Sequence, residues 1–157
     1  IRQNGNTKKY MDGYRTLSTI FADLMFKYNG LSVMAEYANK WAPEGSVIAR
    51  DTLGAPTAYF YTGTGISIQS GYIFKPKTNE LGRGLSELSA RYTAIQPSEE
   101  NGIDNITMYT LGFSRYIDKH NMKVQTDISV TQTGNNDPQL MYRLQMEMAL
   151  SGFKIKR

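Results

Sequence analysis

Apolar side chains fall on every second position through seven stretches of this chain, the spacing of β-strands and not the 3.6 of helices. The first stretch runs Ile20, Ala22, Leu24, Phe26, Tyr28, with Phe21, Asp23, Met25 and Lys27 between them. The second runs Leu31, Val33, Ala35, Tyr37 and Trp41 against Ser32, Met34, Glu36, Ala38 and Lys40. Asn29-Gly30 separates the two, and both residues tolerate the positive φ that a two-residue hairpin turn requires. Five further runs follow: Ile66 to Phe74, Leu88 to Ala94, Tyr109 to Phe113, Met122 to Val130, and Leu140 to Leu150. The connections alternate in character. Tyr28 to Leu31 and Asp118 to Asn121 are short and Pro76 to Gly84 is moderate, whereas Ala42 to about Ala58, Gln96 to Asp104 and Gln132 to Gln139 are longer or more polar. This predicts an all-β antiparallel meander with two distinct ends, in one domain spanning residues 1–157. Residues 1–15 read as an outer loop and 151–157 as a tail or strand extension.

The position of the charges decides between a soluble sandwich and a membrane barrel. The seven apolar faces carry no Asp, Glu, Lys or Arg. The opposite faces carry Asp23, Lys27, Glu36, Lys40, Glu87, Arg91, Lys123, Asp127, Arg143 and Glu147. A cation at mid-bilayer on a lipid-facing strand costs roughly 2–4 kcal/mol, so such positions are kept clear. The expectation is a transmembrane up-and-down β-barrel, with the uncharged face in lipid and the other lining a lumen. Tyr28, Tyr72 and Phe74 then fall near a periplasmic rim, and Trp41, Tyr92, Tyr109 and Tyr142 near an outer rim, as membrane-interface aromatics. A seven-strand count is odd, whereas bacterial single-chain barrels are even, so the chain reads as the C-terminal portion of a larger barrel whose upstream strands precede Ile1.

Composition agrees with this picture without demanding it. Mean hydropathy is −0.46, as alternating strands allow, and no run of about eighteen apolar residues offers a transmembrane helix. Cysteine is absent, which removes disulfides and thiolate chemistry. A net charge of +4 without a dense basic patch argues against nucleic acid. Tyrosine is abundant, at 11 residues.

Candidate chemistry is thin. His120 is the single histidine and lies in a short turn, where no Ser/His/Asp set can be assembled. Gly63-Thr64-Gly65 lacks the Lys of a phosphate loop and leads into a strand. Glu99, Glu100, Asn101 and Asp104 are oxygen-bearing, but they lack the spacing of a calcium loop and read as a solvated outer loop. Neither a catalytic residue, a metal nor a cofactor is expected. The pore-lining set is Lys27, Lys40, Arg91, Lys123 and Arg143 with Glu36, Glu87, Asp127 and Glu147; Lys75 and Asp23 share that facing. The two signs nearly cancel, and Arg91, Lys123 and Arg143 are the best candidates for setting ion preference.

Several segments resemble, in order, strands of the phosphate-selective porin O and P family, especially its Bacteroidetes-type members. They are Thr64-Gly65-Ile66-Ser67-Ile68-Gln69-Ser70-Gly71-Tyr72-Ile73-Phe74, Ala90-Arg91-Tyr92-Thr93-Ala94-Ile95-Gln96-Pro97, Tyr109-Thr110-Leu111-Gly112-Phe113-Ser114-Arg115-Tyr116, His120-Asn121-Met122-Lys123-Val124-Gln125-Thr126-Asp127 and Leu140-Met141-Tyr142-Arg143-Leu144-Gln145. The similarity runs from about Leu17 to Leu150. It implies a barrel of the sixteen-strand class in the bacterial outer membrane, often a homotrimer, passing small hydrophilic or anionic solutes such as phosphate. Family members usually end on an aromatic residue that the barrel-assembly machinery reads; here Leu150 holds that place and Ser151 to Arg157 follow. A second expectation of another class is a structural or assembly-associated barrel subunit of a larger envelope complex.

Overall fold

The computed structural model describes residues 2–3, 7–8, 16–43, 45–50, 52–54, 56–74, 84–118 and 121–149. Seven long strands form one antiparallel sheet: β3 (Ser18–Tyr28), β4 (Leu31–Trp41), β7 (Gly63–Phe74), β8 (Leu85–Pro97), β9 (Ile106–Asp118), β10 (Met122–Thr133) and β11 (Gln139–Met148). Their order is β11-β10-β9-β8-β7-β4-β3, so each pairs with its neighbour in the meander. Two small ladders stand apart from it: β1 (Arg2–Gln3) with β2 (Thr7–Lys8), and β5 (Val47–Arg50) with β6 (Pro56–Tyr59).

The small ladders add paired backbone to two of the expected connecting segments. Part of the 1–15 loop is paired backbone, Arg2 opposite Lys8 and Gln3 opposite Thr7. The long 42–58 connection carries a hairpin, which Pro56 and the short runs on either side hide from period counting. The tail from Leu150 onward, with Lys75 and His120, lies outside the described residues.

Local chemistry fixes the register. Asn29 (φ 44) and Gly30 (φ 90) both adopt positive φ, which closes β3 on β4 with Tyr28 opposite Leu31. Gly30 also accepts a hydrogen bond from Ile73 N at 2.9 Å, and a Cβ there would meet Ile73 O at 2.9 Å. The turn therefore sets both the hairpin and its seat against β7. From it the pairing runs unbroken: Leu31 opposite Tyr72, Tyr72 opposite Leu88, Leu88 opposite Phe113, Phe113 opposite Thr126 and Thr126 opposite Leu144.

Because directly opposed residues share a face, this register puts all seven apolar runs on one side of the sheet. The ten charges read from the sequence all fall on the other side. β9 extends the pattern beyond the run Tyr109 to Phe113. Arg115 joins the apolar side at the Asn29-Gly30 end, its Nη1 donating to Ser86 Oγ at 2.7 Å.

Burial is inverted relative to a water-soluble fold. Ala58 is the only buried hydrophobic residue among those described, and it lies on the β5–β6 hairpin. In the sheet the covered side chains are polar: Thr110, Ser114, Asp127 and Ser129, all on the charged face. Leu24, Leu111, Leu140, Tyr142 and Leu144 on the other face are exposed. Contacts between elements run along neighbouring strands, and among the described residues no second sheet packs over the apolar face as a sandwich would require. No helix of the described residues is long and apolar enough to cross a membrane, which says nothing of strands.

Candidate functional site: the charged face of the sheet

The charged face is assembled in transverse rows, since residues opposed across the ladders lie side by side. One row crosses Lys27, Ser32, Gly71, Ser89, Gly112, Asp127 and Arg143. The next row toward the β5–β6 end crosses Met25, Met34, Gln69, Arg91, Thr110, Ser129 and Met141. Beyond it come Asp23, Glu36, Ser67, Thr93 and Met108. Near the Asn29-Gly30 end, Tyr116, Lys123 and Glu147 are aligned.

Two cations in these rows are neutralised by the strand beside them. Arg143 donates to both Asp127 oxygens, Nε at 2.9 Å and Nη2 at 3.2 Å, a forked geometry that suits guanidinium and carboxylate. The Asp127 side chain is 5 % exposed, so its charge depends on that partner. Lys123 Nζ lies 3.2 Å from Glu147 Oε2 and 5.9 Å from the centre of the Tyr116 ring. Tyr116 in turn donates to Glu87 Oε2 at 2.6 Å. The chain Glu87–Tyr116–Lys123–Glu147 thus braces four adjacent strands. Thr110 and Ser129 add a buried hydroxyl pair at 2.9 Å.

Gly71 makes room for this brace. A Cβ there would stand 2.9 Å from Glu87 Oε1 and 3.2 Å from Ser32 Oγ. Gly71→Val is expected to push the Glu87 carboxylate off Tyr116 and cost about 1 kcal/mol of folded stability, the worth of one hydrogen bond. The check is a double-mutant cycle by denaturant titration: Glu87→Ala costs a similar amount alone and adds little in the Gly71→Val background.

Arg91 differs from the other central cations. It sits between Gln69 and Thr110, its buried Nε has no hydrogen-bond partner, and among the described residues no carboxylate forms an ion pair with it. It shares a small polar hollow of about 110 Å³ with Gln69, Ser89, Gln125 and the Asp127–Arg143 pair. Of the three cations the sequence singled out, Lys123 and Arg143 are compensated and Arg91 is not. The brace residues Tyr116 and Gly71 were missed; carrying the period of two past Ser114 places Tyr116 on the charged face and Arg115 on the other.

The seven aromatics expected at a membrane interface all lie on the apolar face. Tyr28 and Tyr72 flank Leu31 at the Asn29-Gly30 end, and Phe74 stacks edge-on against Tyr72 with centroids 4.9 Å apart. Trp41 closes β4 at the opposite end. Tyr92 and Tyr109 face each other at 5.2 Å, but Tyr92 is eighth of thirteen residues in β8, and Tyr142 is likewise interior to β11. The outer group is therefore not a row of strand-terminal rings.

At the β5–β6 end the loops are tied together. Ser46 N and Oγ both donate to Glu100 Oε2, Ser98 N donates to Thr62 O at 2.9 Å, and Asn101 Nδ2 donates to Thr62 O at 2.8 Å. The oxygen cluster Glu99, Glu100, Asn101 and Asp104 is split by these contacts: Glu100 turns to Ser46 and Asp104 packs beside Gly134. Among the described residues no group of three or more His, Cys, Asp or Glu could hold a metal ion.

Compared with protein-family models, with curated proteins and with solved structures, the chain matches none.

Proposed function

We propose that the apolar face lies against hydrocarbon in a bacterial outer membrane and that the charged face lines a water-filled passage for small hydrophilic solutes. The observation that carries this reading is the inversion of burial. Most Leu, Ile, Phe, Tyr and Met side chains of one face are exposed while Asp127, Ser129, Thr110 and Ser114 on the other are covered. Apolar patches of this extent mark surfaces that meet lipid or a partner. A membrane strand must satisfy its backbone within the sheet, and the antiparallel ladders do this for every interior strand. Passive diffusion needs no catalytic residue; a wet lumen with charged walls suffices.

Closure follows from strand direction. β3 and β11 are the open edges and run the same way, because five strands alternate between them. They cannot pair with each other antiparallel. A closed antiparallel barrel needs an odd number of further strands between these edges, from this polypeptide or another. The same open edges favour a second reading, a structural barrel subunit completed within a larger envelope complex. Reconstitution of the intact protein into planar bilayers separates the two. Discrete ohmic conductance steps are expected for a channel; a membrane-inserted protein that leaves the bilayer silent contradicts it and supports the structural role.

A further inference from the structure

The charged face is not polar throughout. Toward the β5–β6 end, Phe21, Ala38, Gly65 and Ile95 occupy one row of it, in a groove of about 520 Å³. The same four residues line an adjoining groove of about 410 Å³ that reaches Lys40 and Asn101. Phe21 is 77 % exposed although it stands on the face that carries the charges.

The two ends of this apolar trough have opposite character. At one end Asp23 and Glu36 are directly opposed. A two-residue turn closes on a hydrogen-bonded pair, and pairs alternate along the ladder. Five rungs from Tyr28–Leu31, Asp23–Glu36 is therefore of the non-hydrogen-bonded kind, with α-carbons only about 4.5 Å apart. Like charges directly opposed are destabilising, and among the described residues neither carboxylate forms an ion pair. At the other end Lys40 lines the groove and likewise has no carboxylate partner among the described residues. Beside it Asn101 is 2 % exposed. The Thr62 carbonyl can only accept, which fixes the Asn101 amide nitrogen toward it and leaves Oδ1 buried without a donor.

We infer that this trough is a subsite for a short zwitterionic solute with apolar side chains, of the class to which apolar tripeptides belong. Its ammonium group relieves the repulsion between Asp23 and Glu36. Its apolar side chains cover Phe21 and Ile95. Its carboxylate meets Lys40. Glu36 and Lys40 are four residues apart on β4, about 13 Å at the rise of a strand. An extended tripeptide spans about 10 Å, and the lysine side chain covers the difference. The inference rests on the reading that this face is wet.

The test is calorimetric titration of the intact protein in lipid nanodiscs with trileucine, N-acetyl-trileucine, trileucinamide and triglycine. Trileucine is expected to bind, with N-acetylation and C-amidation each weakening it by about fivefold, as charge pairs near 4 Å in water do. Triglycine is expected to bind at least about tenfold more weakly. In D23N/E36Q the acetylation penalty vanishes while the amidation penalty stays; in Lys40→Gln the reverse holds. Penalties that survive in those variants, equal binding of triglycine, or no binding at all would each overturn the subsite. Conductance of the same preparation in simple salt is recorded in parallel. A conducting protein that ignores trileucine fails the subsite alone; a silent protein that binds it fails the channel alone.

Discussion

An arginine in place of Leu111 will remove about 2–4 kcal/mol from the stability of the protein folded into a phospholipid bilayer. Leu111 is interior to β9, between Ala90 and Ile128, and is 59 % exposed on the apolar face. A water-soluble protein would accept this change within about 0.5 kcal/mol, since an exposed leucine gives up little when it becomes charged. In hydrocarbon the guanidinium loses its hydration, and the centre of a thirteen-residue strand lies too far from either boundary for it to reach water cheaply. Gln125→Arg on the charged face of β10 is the control and is expected to cost less than about 1 kcal/mol. The measurement is reversible urea unfolding from lipid vesicles, followed by intrinsic fluorescence. A Leu111→Arg protein as stable as the native one would mean that this face is not in lipid.

On the proposed channel reading, reversing Arg91 to glutamate will turn the passage toward cations. The described charged face carries five basic residues, Lys27, Lys40, Arg91, Lys123 and Arg143, and five acidic ones, Asp23, Glu36, Glu87, Asp127 and Glu147. Counting alone predicts a neutral wall. Pairing sharpens the expectation, because Lys123 and Arg143 are held by Glu147 and Asp127, while Arg91 stands near the middle of the sheet with no acidic partner among the described residues. A unit charge about 6 Å from a passing ion in water contributes about 0.7 kcal/mol, roughly threefold in local ion concentration. Arg91→Glu changes the local charge by two units, which lowers anions and raises cations about tenfold each, so the anion-to-cation permeability ratio is expected to fall about a hundredfold at low ionic strength and much less at about 1 M salt. The double variant Lys123→Gln/Glu147→Gln is expected to move it far less, because removing both partners of that pair leaves the local net charge unchanged. Reversal potentials under a salt gradient read both variants; equal shifts would refute the distinction between paired and unpaired cations.

How much of this was legible in the sequence follows from what each feature depends on. The strands and their facing depend on parity and one turn, and both are local. Asn29-Gly30 pins the first hairpin, and alternation carries the register across five further ladders of neighbouring strands. For the same reason the ten charges fell on one face as read. The pairing of those charges was not legible: whether Lys123 meets Glu147 or Arg143 meets Asp127 depends on which strands adjoin and how side chains lean across them. The β5–β6 hairpin was hidden because Val47–Arg50 and Pro56–Tyr59 are too short to show a period. Contacts with Glu100 and Asn101, far along the chain, tie down the residues that flank it. The apolar trough was missed because Phe21, Ala38, Gly65 and Ile95 each look like a lone exception on a polar face. Only the register, which lines them up in one row, makes them a surface.

Site-directed spin labelling along β9 in lipid vesicles tests most directly whether the exposed apolar face meets hydrocarbon. Labels at positions 107, 109, 111 and 113 should be relaxed strongly by dissolved oxygen, which concentrates in the bilayer, and weakly by a water-soluble nickel chelate. Labels at 108, 110, 112 and 114 should show no such oxygen maximum. Odd positions that respond to the chelate as freely as an aqueous loop, or a strand with no alternation in oxygen accessibility, would contradict the account.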